Sequence, residues 1–225
     1  MKRYTTLLFD ADDTLLDFKR CEAAALEKMM LHRGLPFDKE DVELYSRINQ
    51  SYWEMYERGE IPKSAISVGR YKEFFKVKGV ETDAFIAAKT YEGFLSEQHF
   101  MIDGALQLLE RISKFCDIYI ITNGTDYIQK RRLMESGITA LSKGTFISEI
   151  VGAPKPEKQY FDYVLKNVNE TDKSKILVVG DSMSSDILGG INAGLDTCWY
   201  NPNSKVPKYK PTYEIKKLSQ ILEVL

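Results

Sequence analysis

A chain of 225 residues is long enough for one large domain, or for a core domain carrying a smaller insert. Its 44% hydrophobic and 28% charged residues are ordinary for a globular protein, and a net charge of −2 leaves no basic field, which argues against nucleic acid as a bulk partner. Three scattered cysteines, Cys21, Cys116 and Cys198, point to neither a disulfide framework nor a zinc cluster, and two histidines, His32 and His99, give little support to a histidine-centred metal or Ser-His-Asp site.

The opening segment reaches Asp10 too soon for a signal peptide, and no apolar run approaches the ~20 residues of a membrane helix. A cytoplasmic protein with no membrane partner is expected. Tyr4–Phe9 is a short, apolar, β-rich run, the pattern of a strand buried on both faces. From about Arg20 to Gln98 the periodicity is helical instead. Tyr45, Ile48, Tyr52, Met55 and Tyr56 fall at helical spacing, as do Tyr71, Phe74 and Phe75, and turns are expected at Gly34, Gly59 and Gly79. This stretch reads as a helical insert packed on itself. The expected division is a core of residues 1–16 and 100–225 with a cap of 17–99, and Asp103 is placed to cap the helix that follows.

Further along, Ile118–Ile121, Lys175–Val179 and Thr197–Tyr200 repeat the buried-strand pattern, with helical patterns at Asp126–Ser136, Glu157–Asn167 and Ser185–Ala193 between them. Alternation of this kind implies an α/β fold, a doubly wound parallel-sheet (Rossmann-like) core with an inserted all-helical cap. The basic clusters Lys130-Arg131-Arg132 and Lys216-Lys217 read as solvated helix faces. The Pro- and Lys-rich stretch from Asn201 to Pro211 reads as a loop before a last short strand and helix.

The chemistry concentrates where predicted strands end. In Phe9-Asp10-Ala11-Asp12-Asp13-Thr14-Leu15 the carboxylates of Asp10 and Asp12 lie i, i+2, about 6–7 Å apart on one side of an extended chain. They emerge from the carboxyl edge, where open α/β sheets bind ligands. Two carboxylates held together call for a cation or a proton between them. An acidic turn capping a helix would explain this motif alone equally well. Gly180-Asp181-Ser182-Met183-Ser184-Ser185-Asp186 follows a second buried strand, with Asp181 at the strand end and Asp186 able to reach back. Hard oxygen donors of this type suit Mg²⁺. Thr122-Asn123-Gly124 offers a hydroxyl, an amide and a flexible backbone to phosphate oxygens. Lys155, between Pro154 and Pro156, supplies a positive charge on a pre-organised loop.

Asp-x-Asp-x-Thr, Thr122, Lys155 and Gly-Asp-x-x-x-x-Asp, in this order, resemble the haloacid dehalogenase-like hydrolase superfamily, and the helical insert resembles its helical cap class. Residues 9–15, 180–194 and 196–202 are similar to the noncanonical pyrimidine 5′-nucleotidases. The resemblance implies Asp10 as nucleophile and Asp12 as general acid, then base. It implies Thr122 and Lys155 on phosphate, and Mg²⁺ held by Asp10, the backbone carbonyl of Asp12 and Asp181, with Asp186 either a direct ligand or acting from behind one. The function it implies is a Mg²⁺-dependent phosphomonoester hydrolase working through an aspartyl-phosphate, a 5′-nucleotidase taking a small nucleotide, the chain being a monomer or weak homodimer. A sugar-phosphate or other small-metabolite phosphatase is the alternative. A silent phosphate-binding or phospho-accepting regulatory protein is the reading from another class. A dehalogenase would need neither Mg²⁺ nor an acid at Asp12. The insert is expected to close over the site, with Asn49, Trp53 and Glu57 on one helical stripe and Arg70 beyond it reading the base, the alternative for Trp53 being packing between the helices of the insert.

Overall fold

Thr6–Asp10, five residues buried end to end, form β1 near the middle of the sheet. The structure, a computed structural model, describes residues 4–225. It divides into two units, one running to Asp17 and resuming at His99, the other spanning Phe18–Gln98.

The inserted unit consists of four helices, α1 (Phe18–His32), α2 (Lys39–Glu57), α3 (Lys63–Lys78) and α4 (Ala84–Ser96). Asp38 starts α2 through a reciprocal cap. Its carboxylate accepts the Asp41 N–H at 3.2 Å while Asp41 accepts the Asp38 N–H at 2.9 Å, which satisfies two of the donors a helix start leaves open. The interior is aromatic. Tyr45, Tyr71, Phe74 and Tyr91 are fully buried, Tyr45 touching the other three and Tyr71 touching Tyr91.

The core unit continues with α5 (Ala105–Ile112), β2 (Asp117–Thr122), α6 (Asp126–Glu135), α7 (Ile138–Leu141), β3 (Gly144–Ile147), α8 (Ser148–Val151) and α9 (Lys158–Asn167). It ends with β4 (Ile176–Gly180), α10 (Leu188–Ala193), β5 (Asp196–Tyr200), β6 (Tyr213–Ile215) and α11 (Ile221–Val224). All six strands are parallel, in the order β3-β2-β1-β4-β5-β6. The chain therefore builds outward from β1 in one direction and then crosses to build in the other. A ligand crevice belongs at the carboxyl edge of such a switch point.

Alternation along the strands sends side chains to two cores. Leu7, Phe9, Ile118, Ile120, Leu177 and Val179 pack with α5, while Leu8, Tyr119, Ile121, Ile176 and Val178 pack with α9. Full burial of each such side chain contributes roughly 1.5–3 kcal/mol. Register aligns the functional edge. Asp10 is opposite Ile121, and Phe9 is opposite Val179, so the ends of β1, β2 and β4 come out together.

Three local expectations are corrected. Asp103 does not cap α5, whose N-cap is Gly104 at φ 78 with no side-chain bond. The pattern read as a helix from Ser185 starts as a single π-helical turn, Met183–Ile187, before α10. The edge strand β3 was not expected, because four residues carry too little periodicity to register.

Candidate active site

Asp10 closes β1 and is 7% exposed. Beyond it the chain turns back at once, with the Ala11 carbonyl accepting from the N–H groups of Leu15 and Leu16 and Asp13 in the left-handed region at φ 58. Asp181 follows β4, and Asp186 lies on the π turn, fully buried. Ser182 starts that turn by accepting the Ser185 N–H, and Asp186 Oδ2 accepts the Ser182 N–H at 3.1 Å. The Trp199 indole N–H, 2.8 Å from the Asp181 carbonyl, secures the other side of the loop. Carboxylate oxygens of Asp10, Asp181 and Asp186 all lie within 4.8 Å of one another.

Lys155 reaches into this group. Its Nζ donates to Asp10 Oδ1 at 2.6 Å, Asp186 Oδ1 at 2.7 Å and the Ile121 carbonyl at 3.2 Å, which uses all three ammonium protons. Burial pulls its pKa down, but the carboxylates of Asp10 and Asp186 outweigh that and leave it raised. Lys155 is therefore charged at neutral pH. Burial pushes the Asp10 carboxyl up to about 8, with Lys155 pulling it down and Asp186 and Asp12 adding to the rise. Burial raises Asp181 well above the usual carboxylate range, helped by Asp10, Asp186 and Asp13 and opposed by Lys155.

Three carboxylates facing one ammonium leave excess negative charge in a dry position. A hard divalent cation is the group that this arrangement fits. The donors are oxygen alone, close enough to share one ion, and two of them resist ionising without further positive charge.

On the other side of β1, Thr122 ends β2, and its backbone N–H donates to the Tyr160 hydroxyl at 3.1 Å. Thr122 Oγ1 accepts from the Gly124 N–H at 3.1 Å and from Gln129 Nε2 at 2.8 Å. Gln129 Nε2 also donates to Asp12 Oδ2 at 2.9 Å, and Arg132 Nη1 donates to Asp12 Oδ1 at 2.7 Å. The Asn123 side chain is paired reciprocally with the Lys155 backbone, at 2.9 Å in each direction, and so splints the two loops together.

Asp10, Asp181 and Asp186 thus lie within reach of one ion, with Lys155 bonded to Asp10 and Asp186, and Asp12 and Thr122 meet through Gln129. The three residues expected on the insert occupy different settings. Asn49, 3% exposed, donates to Glu22 Oε1 at 2.7 Å and accepts from Arg70 Nη1 at 2.5 Å. Arg70, 6% exposed, lies 5.3–5.9 Å from the ring centres of Tyr45, Tyr71 and Tyr91. Trp53 is half-buried, edge-on to Tyr56 and 6.0 Å from the Lys63 ammonium.

Gln129 and Arg132 carry no motif that singles them out in the sequence. The reading of Lys130-Arg131-Arg132 as one solvated face is corrected, since Arg132 is 1% exposed while Lys130 and Arg131 pair with Asp126 and Glu135 on the outer face of α6. The available signal was spacing. Gln129 and Arg132 share a helical stripe with the apolar Ile128 and Leu133.

Comparison with known proteins follows the same lines. A family model described as haloacid dehalogenase-like hydrolase matches residues 4–194. YfnB of Bacillus subtilis, named as a HAD-hydrolase, is 41% identical over 100% of this chain and 97% of its own. The crystal structure of YfnB bound to magnesium, in which interdomain movement was found, matches with a TM-score of 0.95 at 40% identity over 99% of each chain. The pyrimidine 5′-nucleotidase YjjG of Escherichia coli is 35% identical over 99% of this chain and 98% of its own. The pyrimidine 5′-nucleotidase PynA of Streptococcus pneumoniae is 34% identical over 99% and 95%.

Proposed function

The chain belongs to the haloacid dehalogenase-like hydrolases, and on that premise we propose that it is a Mg²⁺-dependent phosphatase that hydrolyses pyrimidine nucleoside 5′-monophosphates through a phosphoryl-aspartate on Asp10. The observation that carries the reaction is the convergence of Asp10, Lys155, Asp181 and Asp186 at the sheet edge, two residues before the second carboxylate, Asp12. Nucleotide as substrate is supported by the two nucleotidases at 34–35% identity over nearly the whole chain.

In the first step an Asp10 oxygen attacks phosphorus, the bond to the leaving oxygen breaks, and Asp12 delivers its proton to that oxygen. In the second, Asp12 takes a proton from water as the water oxygen attacks phosphorus, and Asp10 leaves as a carboxylate with inorganic phosphate as product. Asp10, Asp181, Asp186 and the Asp12 carbonyl would hold the ion, which would supply positive charge for the phosphoryl oxygens. Lys155 holds Asp10 in one orientation and offsets its repulsion from the incoming dianion. Thr122 Oγ1 already accepts two hydrogen bonds, so its proton remains for a phosphoryl oxygen. Positioned charge matters here because the transition state spreads negative charge over those oxygens.

A cytoplasmic location belongs to the same proposal, since Cys21, Cys116 and Cys198 are all free and buried. No helix among the described residues is long and apolar enough to cross a membrane. The test is a panel of nucleoside monophosphates and sugar phosphates at matched concentration, with Mg²⁺ and with excess chelator. Pyrimidine 5′-monophosphates are expected to lead in kcat/KM. Equal turnover in chelator would end the metal assignment, and preference for a sugar phosphate would end the nucleotidase one.

A further inference from the structure

Arg132, Gln129 and Asp12 close a ring of hydrogen bonds. Arg132 Nη1 donates to Asp12 Oδ1 at 2.7 Å and to Gln129 Oε1 at 2.9 Å, and Gln129 Nε2 returns to Asp12 Oδ2 at 2.9 Å. Both carboxylate oxygens of Asp12 are engaged, and its direction is set by two side chains from one helix. The second Nε2 proton of Gln129 goes to Thr122 Oγ1 at 2.8 Å. Reversing the Gln129 amide would turn its oxygen against the Asp12 carboxylate and its NH₂ against the guanidinium, so one orientation is specified.

Packing alone does not account for this ring. Arg132 and Gln129 are each 1% exposed and sit on the stripe where α6 otherwise presents Ile128 and Leu133. An apolar residue would fill such a position without the desolvation cost of a buried guanidinium, which is several kcal/mol per ion. The loop before α6 is shaped to the same end. A Cβ on Gly124 would lie 2.6–2.8 Å from Cγ, Cδ and Nε2 of Gln129, so a side chain there would push Gln129 off its partners. The Asp12 side chain that all this holds is itself 28% exposed. A buried clamp thus grips a carboxylate that opens to solvent.

We infer that Arg132 and Gln129 are positioning residues that hold the Asp12 carboxylate for proton transfer and tie its placement to the phosphate-facing hydroxyl of Thr122. The inference rests on the reading of Asp12 as the general acid. A clamped acid meets the leaving oxygen without first losing rotational freedom, and orientation of this sort is a large part of what a catalytic group contributes. Removing the clamp leaves Asp12 present but unaimed. The loss should follow the leaving group's need for a proton.

The experiment compares kcat/KM for p-nitrophenyl phosphate, whose leaving group needs little protonation, with that for the alkyl phosphate the wild-type enzyme hydrolyses best. The variants are Arg132→Met, Arg132→Lys, Gln129→Leu and Asp12→Asn, and kcat/KM is chosen because it reports the steps through departure of the leaving group. With general acid–base help worth about 10²–10⁴-fold, Arg132→Met is expected to lose about 10–100-fold on the alkyl ester and less than about 3-fold on the aryl ester. Arg132→Lys should recover part of the alkyl activity, and Gln129→Leu should repeat the selective loss on a smaller scale. Proportional losses on both substrates, or none, in Arg132→Met while Asp12→Asn remains selective would overturn the clamp and leave Asp12 in its role. An unselective Asp12→Asn would remove the general acid and the clamp together. Should Arg132→Met fail to fold, Gln129→Leu decides by the same criterion.

Discussion

The Asp186 carboxylate occupies the space that a side chain on Gly180 would need. A Cβ there would lie 2.6 Å from the Asp186 Cβ and would overlap the carboxylate itself. Gly180 is the last residue of β4, and Asp186 reaches back over it to Lys155 Nζ and to the Ser182 N–H. The glycine is thus a matter of close approach to a side chain, and its φ is not among the positive values. Gly180→Ala should displace Asp186 and disturb the carboxylate group without touching a reactive atom. We expect the Mg²⁺ concentration for half-maximal activity to rise at least about 10-fold, the scale seen when outer-shell support of a metal ligand is lost. An unchanged Mg²⁺ titration would detach Asp186 from the cation site.

Asp10→Asn tests the covalent step. The amide is nearly isosteric but not nucleophilic, so turnover of every phosphomonoester should be abolished while the far-ultraviolet circular dichroism stays that of the wild type. The same substitution removes one of the three carboxylates competing for Lys155 and the cation. A variant retaining even a few per cent of wild-type kcat would exclude a phosphoryl-aspartate at this position.

Much of this architecture can be read from the chain because the strands carry local signals. Tyr4–Phe9 and Lys175–Val179 are apolar runs ending in Asp or Gly, and the parallel sheet follows from their alternation with helices. What could not be read are choices of partner across long separations. Arg132 looks like its neighbours Lys130 and Arg131 until Asp12, 120 residues earlier, is brought against it. Asn49 looks like a free amide on a helix until Glu22 and Arg70 close on it. The functional signal of Gln129 is equally non-local, since its three partners come from two strand ends and its own helix. Sequence spacing reveals which face a residue takes, and the fold then decides what that face meets.

Of the three insert residues expected to read the base, Trp53 is half-buried where Asn49 and Arg70 are enclosed. If it stacks on a nucleobase, Trp53→Ala should lower kcat/KM for pyrimidine monophosphates by about 1–3 kcal/mol, the range of aromatic–base stacking. Hydrolysis of p-nitrophenyl phosphate, which has no base, should change far less. Proportional losses on both substrates would return Trp53 to packing against Tyr56 and Lys63.

The raised carboxyl of Asp10 links stability, pH and metal. Its ordinary value is 3.8, and burial in the metal-free protein takes it to about 8. Between those values the folded state holds a proton that the unfolded chain has lost. The sign is therefore negative: stability falls as pH rises through this window, by at most about 1.4 kcal/mol per pH unit for one such group, and Asp181 adds in the same direction. A divalent cation replaces the proton, so it should stabilise the protein more where the proton is weakly held. Saturating Mg²⁺, at about 100 times its Kd, contributes roughly 2.7 kcal/mol. For a chain of this length that is a Tm rise of about 5–10 °C at pH 8. At pH 5 protons compete for the same oxygens, and the rise should be less than half as large. Asp10→Asn should lessen the slope of the metal-free Tm profile between pH 5 and 8, because the amide has no proton to lose, with the Asp181 part remaining. Differential scanning calorimetry of both proteins at the two pH values, with Mg²⁺ and with chelator, reads all four quantities. A Mg²⁺ shift equal at both pH values, or larger at pH 5, would mean that the cation does not bind where Asp10 holds its proton.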